Sequence, residues 1–355
     1  MRYLYNIHFD LSYVSANSQL VMGVLLALLV QLKDTMTMST LYWNGSTGRM
    51  NVAGNWGNPG GSPKAPRSGD TARITGGTVM VMGEGVGVNV ILDGIGSANE
   101  PTLNLKDGSI GSIAVNAQQY SFYTSAHGKV EVTGRVTGMG GIKLGAIHAA
   151  ADTLVMTELP YSTFVNQGAV SVLNGSALLE SGGQHSSFEN DGVITTSGAS
   201  TLKFGSTVTG EGTISDSAVA TGGGSKLEFG GGVGSGQTIN LNAGTLQLDK
   251  PMAFHATIAA LNASAAPSYG PTSGLGNGAI VLEHTRADSA IFSADELVLK
   301  DAGVTVADLH FSGLAKTGTA QLWVGREADG STAVTGYAVA ESHALYVSAM
   351  PTLLS

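Results

Sequence analysis

The sequence predicts an all-β protein: a right-handed, parallel β-solenoid with an N-terminal cap and a C-terminal β-hairpin region. The main observation is a phrase that returns about every 20–24 residues between positions 165 and 250, a spacing typical of solenoid turns. Each phrase has a turn residue and a glycine, followed by alternating apolar and small polar residues, as in a short strand. The phrases start at Asn166, Asn190, Gly210, Gly234 and Asn242. Each turn of a solenoid buries its apolar side by stacking on the next turn.

Composition is the second observation. Glycine supplies 51 of the 355 residues, and charged residues are only 12% of the chain. Turns and uncharged strands fit this composition better than solvated helices do. Cysteine is absent, so disulfides and thiolate metal sites are excluded. The net charge of −9, with Arg135 as the only arginine between Arg73 and Arg286, argues against a nucleic-acid partner.

Residues 1–40 differ from the rest of the chain. An apolar run at 20–30 is about eleven residues long, too short for a membrane span of roughly 20 residues. It is similar to the apolar core of a signal peptide, but Arg2 is the only strong positive charge before it and no small-x-small cleavage site follows. An atypical signal or anchor therefore stays open, and so does a mis-annotated leader with translation starting at Met36 or Met38. We expect that the protein is not an integral membrane protein unless residues 20–30 act as an anchor.

The segment 41–82 is predicted to be the N-terminal cap with the first strands. Trp43 and Trp56 flank a Gly/Asn-rich stretch, and large aromatic residues can close the open end of a solenoid. The alternative role of this pair is a platform on which a ligand stacks.

Residues 83–250 are predicted to form the solenoid turns. Their repeated apolar positions should point inward: Val170, Val172, Ile194, Leu202, Phe204, Ile214, Leu227, Phe229, Ile239, Leu241, Leu246 and Leu248. At Pro251 the rhythm breaks, and 251–278 is expected to be a loop excursion with a helical turn at 258–262. Longer alternating segments from 279 to 355 predict a C-terminal β-region built from hairpins.

Two stretches carry a resemblance to a known class. The opening W-N-G-S-T-G…N-W…S-G-D-T-A…G-T-V resembles the start of many bacterial secreted β-solenoid proteins. The phrase S-K-L-E-F-G-G-G-V-G-S-G-Q-T-I-N-L…G-T-L-Q-L-D-K-P-M-A-F-H-A-T-I at 225–258 resembles the repeat of autotransporter passengers and adhesins. The resemblance implies export and a surface role such as adhesion. Met50 departs from it, because a third Trp often stands there, and no translocator barrel follows in this sequence.

An enzyme is the competing hypothesis. A glycosidase needs two carboxylates roughly 5–10 Å apart, which adjacent turns of a solenoid can supply. Glu189, Asp191, Glu211 and Asp216 are the candidates. The plainer interpretation is that these are solvated turn residues. The eight histidines show no metal-ligand spacing, so we expect no metal and no cofactor.

The sequence thus predicts a non-catalytic extracellular structural or adhesive protein of a bacterial surface. It would bind surface glycans or assemble with copies of itself into fibres. A polysaccharide lyase or glycosidase, or a component of a phage or secretion appendage, remains the alternative.

Overall fold

The computed structural model describes residues 38–82, 87–95, 101–115, 126–144, 151–217, 224–242, 244–261, 264–265, 279–293, 295–312, 320–327 and 329–338. The chain divides into two units, Met1–Ser39 and Thr40–Ser355. Of the predicted leader at 1–40, residues 1–37 lie outside the described residues. The described part of the second unit consists of β-strands, turns and the short 3-10 turns Ala53–Asn55 and Pro251–Ala253.

The strands are short, apart from two that run around a whole turn. The N-terminal part contains β1 Thr40–Trp43, β2 Thr47–Arg49, β3 Trp56–Gly57, β4 Thr71–Ile74, β5 Thr78–Met82, β6 Asn89–Leu92, β7 Gly94–Ile95, β8 Thr102–Val115 and β9 Ala126–Leu144. The middle part contains β10 Thr153–Glu158, β11 Thr163–Asn166, β12 Ala169–Val172, β13 Ala177–Gly182, β14 Ser187–Asn190, β15 Val193–Ser197, β16 Thr201–Phe204, β17 Thr207–Thr209, β18 Thr213–Ser217, β19 Lys226–Phe229, β20 Thr238–Leu241, β21 Thr245–Leu248 and β22 Thr257–Leu261. The C-terminal part contains β23 Ser264–Ala265, β24 Ala279–Leu282, β25 Ser289–Ser293, β26 Glu296–Asp301, β27 Val304–Phe311, β28 Ala320–Arg326 and β29 Thr332–Ala338.

The strands stack in parallel on three faces, which confirms the predicted β-solenoid. Face 1 contains β12, β15, β18, β20 and β22. Face 2 contains β10, β13, β16, β19, β21 and β24. Face 3 contains β11, β14 and β17, and continues as single bridges through Val233 and Phe254. The long strands β8 and β9 pair along all three faces, with register shifts between faces in β8.

The length of the turns agrees with the predicted repeat. Thr196 and Asp216, on adjacent turns of face 1, are 20 positions apart. Asn166 and Asn190 are 24 positions apart, and Lys203 and Glu228 are 25 apart. The variation arises in the corners, because the paired strands that contain these residues keep their register.

The interior is mostly apolar and built from ladders of like residues. All twelve side chains predicted to point inward are at most 1% exposed. Phe164, Phe188, Phe204, Phe229 and Phe254 form a continuous stack with ring centroids 4.7 to 6.3 Å apart. Phe164 and Phe188 on face 3, and Phe204 and Phe229 on face 2, are register equivalents, and equivalents in parallel strands stand about 4.8 Å apart. The other two ring contacts, Phe188–Phe204 and Phe229–Phe254, cross the interior between faces 3 and 2.

The expected loop excursion at 251–278 is wrong over its first part, because the solenoid continues there. Pro251 begins a 3-10 turn that forms a corner, and Phe254, which bridges to Val233 on face 3, adds the last ring of the aromatic stack. The expected helical turn at 258–262 is replaced by strand β22, which pairs in parallel with β20. Pairing with a preceding turn outweighs the local helix preference of an Ala-rich segment. Residues 266–278 lie outside the described residues.

Antiparallel strands lie at both ends of the stack. At the N-terminal end β3 pairs with β1 in antiparallel register. At the other end β29 pairs antiparallel with β24, and β27 pairs in parallel with β22. Strands β25, β26 and β27 form an antiparallel meander, and β28 and β29 form a hairpin, as the sequence predicted for the C-terminal region.

Candidate functional site

The tryptophan pair lies inside the cap. Trp56 is fully buried, Trp43 is 6% exposed, and their rings meet edge to face at a centroid distance of 5.1 Å. The indole N–H of Trp56 donates a hydrogen bond of 2.7 Å to the Met50 carbonyl. A side chain at Gly45 would meet the ring of Trp43 at 2.8 Å, so the loop closes directly over that ring. A stacking platform needs an exposed ring face, and these rings have none, so their role here is packing.

The predicted carboxylates lie at the corner between faces 3 and 1. Glu189 is half-buried on the outward side of β14, whereas Asp191 and Glu211 are exposed in the turns that follow β14 and β17. The Asp191 Oδ1 atom accepts a hydrogen bond of 3.4 Å from the backbone N–H of Glu211. Asp191 therefore holds the next turn in place, which is the usual work of an Asp in a turn. Asp216 is fully buried and accepts a long hydrogen bond from the Thr196 hydroxyl.

A second pair of carboxyl groups, which the sequence analysis missed, lies inside the solenoid. Glu158 ends β10, Glu180 lies in β13 on the turn above, and each is 1% exposed. Strict alternation along the strand predicts that both acids point inward. Glu158 stands two positions after the inward Met156, and Glu180 stands two positions after the inward Leu178. The periodicity that identified the core thus also identifies these acids as inward.

Backbone and serine groups hold one oxygen of each acid. Glu180 Oε2 accepts hydrogen bonds from the N–H groups of Gly205 (2.9 Å) and Ser206 (3.1 Å) and from the Ser206 hydroxyl (3.0 Å). Glu158 Oε1 accepts one from the N–H of Phe164 at 3.3 Å. The other oxygens, Glu158 Oε2 and Glu180 Oε1, are buried without a hydrogen-bond partner among the described residues.

Burial decides the charge of this pair. Loss of water, and then the neighbouring Glu180 carboxylate, raise the pKa of Glu158 to about 9. Burial also raises the pKa of Glu180, against the opposing hydrogen bonds from Ser206 and Gly205. Glu158 is therefore a neutral acid at pH 7, because burial disfavours the ionised form. Neither acid reaches the surface, so the pair cannot touch a polymer outside the solenoid.

An amide ladder occupies another interior corner. The Asn166 amide donates to Asn190 Oδ1 (2.8 Å), and the Asn190 amide donates to Gln237 Oε1 (2.9 Å). Gln237 in turn donates to the carbonyls of Asn190 and Thr209. These buried polar groups satisfy one another, which is the condition for burying them without a large cost.

The outward side of face 1 is uncharged over five turns. Its strand positions carry only small polar or aliphatic residues: Ala169, Ser171, Val193, Thr195, Thr213, Ser215, Thr238, Asn240 and Thr257. We call this set the face 1 row. Equivalent residues stack in register, and Asn240 donates a hydrogen bond of 3.1 Å to the Ser215 hydroxyl. Rows on neighbouring strands are about 4.8 Å apart, so hydroxyl and amide groups form a regular flat array.

Face 2 is different, because it carries charge. Lys203 and Lys226 both pair with Glu228, Lys226 at 2.8 Å. Burial alone would raise the pKa of Glu228, but the hydrogen bonds from the two lysines outweigh it and lower that pKa. The two faces therefore offer two surfaces of different chemistry on one solenoid.

Comparison of the chain with protein-family models, curated proteins and solved structures finds no match. Among the described residues, no helix has the length and apolar character needed to cross a membrane.

Proposed function

We propose that this protein is a non-catalytic, extracellular adhesive β-solenoid of a bacterial surface. The face 1 row is its contact surface, and uncharged glycans are its ligand. The observation that carries the proposal is the flat, uncharged array of Ser, Thr and Asn along face 1, beside a charged face 2. Hydroxyl and amide groups donate and accept hydrogen bonds without charge, which complements the hydroxyl groups of a neutral polysaccharide.

The resemblance of the repeat at 225–258 to autotransporter passengers and adhesins supports the location outside the cell. Low charge supports it too, since the polar surface is supplied by Ser, Thr, Asn and Gly.

The ends of the stack favour glycan binding over end-to-end assembly. Open strand edges at solenoid ends would be templates for another copy. Here β3 lies against β1, and the C-terminal strands β27 and β29 lie against the last turns of faces 1 and 2. These end strands leave the outward side of face 1 open to lateral contact.

The test is a glycan array together with co-sedimentation on insoluble neutral polysaccharides. Thr195→Lys and Thr238→Lys place a bulky charge in the face 1 row and should abolish retention. Gln247→Lys makes the same change at an outward position of face 2, in register with Glu228, and should leave retention intact. All three variants should melt like the wild type, because surface substitutions usually change stability by less than about 0.5 kcal/mol.

Other outcomes separate the competing functions. Shortened oligosaccharides in the supernatant would contradict a non-catalytic role and make Glu189, Asp191 and Glu211 the next targets. Filaments in negative-stain electron microscopy, without retention on any glycan, would replace glycan binding with self-assembly.

A further inference from the structure

The C-terminal meander brings together three potential metal ligands, one of which, His310, lies in register with Thr257 at the end of the face 1 row. Glu296 begins β26, and Asp308 and His310 alternate along β27. In the antiparallel register Glu296 lies directly opposite His310, and Val298 lies opposite Asp308. One ligand atom from each of the three side chains lies within 4.8 Å of the others.

The apolar side of the same strands sets the direction of these ligands. Leu297 and Leu309 are fully buried, and Phe311 is 5% exposed. Since successive side chains of a strand point to opposite sides, the ligands between these anchors point outward. The hairpin therefore presents all three ligands on one side, on paired strands and not on a loop.

The hydrogen bonding of the group is incomplete. Asp308 Oδ1 is buried, yet no hydrogen-bond donor among the described residues reaches it. The nearest ring nitrogen, His310 Nε2, is 4.0 Å away, which is too long for a hydrogen bond. Two carboxylates and an imidazole thus converge on a point where a carboxylate oxygen lacks a partner.

We infer that Glu296, Asp308 and His310 form a binding site for a divalent transition metal of the zinc or manganese class. One nitrogen and two carboxylate ligands suit these ions better than calcium, which prefers six to eight oxygens. The ligand atoms must approach one another to about 3.3–3.5 Å around a zinc ion with bonds of about 2.0–2.1 Å. The side chains of Asp308 and His310 are 39% and 49% exposed, so they have room for this rotation. Three protein ligands leave a coordination position on the solvent side for water.

The experiment uses the full chain without an affinity tag, stripped of metal with a chelator. Zinc chloride and manganese chloride are titrated separately by calorimetry, with calcium chloride as a comparison. We expect one zinc or manganese ion per chain and a rise in melting temperature, because an ion that binds only the folded state stabilises it. Calcium should bind at least about tenfold more weakly, in line with the ligand preference.

Variants assign the ion to this site. His310→Gln and Glu296→Gln should each weaken binding by at least about tenfold, while the melting temperature without metal stays that of the wild type. His284→Gln is the matched control: His284 is an exposed histidine whose Nε2 lies 3.9 Å from a carboxylate oxygen of Glu283. It should bind the metal like the wild type.

Two results would overturn the inference. One is the absence of stoichiometric zinc and manganese binding by the wild type. The other is wild-type affinity in both His310→Gln and Glu296→Gln. Either result leaves the proposed glycan contact on face 1 standing, because the two tests share no residue.

Discussion

The solenoid turns and the C-terminal meander use the same alternating strand pattern, but they bring different residues together. In the parallel turns each side chain lies against its equivalent, as Leu202 lies on Leu227 and Phe204 on Phe229. In the antiparallel meander unlike residues face each other, as Ser289 faces Lys300 and Glu296 faces His310. Parallel stacking thus builds ladders of one chemistry, whereas antiparallel pairing assembles mixed clusters.

This difference explains where charge is placed. A ladder of like charges would repel itself at a spacing of about 4.8 Å, so a parallel stack favours apolar, amide and hydroxyl ladders. Where charge does occur on face 2, Lys203 and Glu228 alternate in sign between neighbouring turns. The inward acids Glu158 and Glu180 avoid the repulsion in another way, since Glu158 is neutral at pH 7.

The largest expected effect breaks an apolar ladder. Ile239→Asp puts a charge between Ile214 and Ile258 at a fully buried position, and should unfold the solenoid because a buried unpaired charge is very costly. Val304→Asp in the meander, at a position 68% exposed, is the control and should change stability by less than about 0.5 kcal/mol. Thermal unfolding followed by circular dichroism measures both. A wild-type transition in Ile239→Asp would show that the inward assignment of this ladder is wrong.

The next effect compares an aromatic residue in each region. Phe204→Ala removes the centre of the five-ring stack and should cost about 3–5 kcal/mol, the usual range for a buried Phe. Phe292→Ala in the meander should cost less, because Phe292 is only partly buried and contacts one ring, Phe311, at 6.2 Å. Urea unfolding gives both free energies. Equal losses would mean that the stack adds nothing beyond the burial of one ring.

The third comparison concerns the ionisable groups and depends on pH. The pKa of Glu158 is about 9 in the folded protein, against an ordinary value of 4.5. Between these two pH values the folded state therefore holds a proton that the unfolded state loses. The contribution of this proton to the free energy of unfolding should be fully present below pH 4.5. It should fall as the pH rises towards 9, by at most about 1.4 kcal/mol per pH unit.

Glu158→Gln mimics the neutral acid and should flatten this slope. Melting temperatures of the wild type and of Glu158→Gln, measured between pH 5 and pH 9, test this. The burial argument fails if wild type and Glu158→Gln lose stability in parallel over that range.

Much of the solenoid could be predicted from residue patterns. The spacing of the Gly-containing phrases predicts the length of a turn, and alternation predicts the inward side chains from Val170 to Leu248. The end of the solenoid could not be predicted, because Pro251 and the Ala-rich segment after it are signals of a loop. Only pairing with β20 turns that segment into a strand.

The candidate sites divide in the same way. Alternation could have identified Glu158 and Glu180 as buried, since each continues an inward row. No sequence spacing indicates Glu296, Asp308 and His310 as a set, because Glu296 and Asp308 are twelve positions apart with a turn between them.

By itself, the sequence determined the β-class, the repeat and the side of each strand that is buried, because these depend on local alternation and on the transfer of apolar groups out of water. Tertiary structure alone decided which strands become neighbours and in which direction they run. That choice puts Ser and Thr in an uncharged row on face 1, buries two acids together, and sets a histidine against two carboxylates. The physical reason is that register between strands is a long-range property, settled by the fit of whole turns rather than by neighbouring residues.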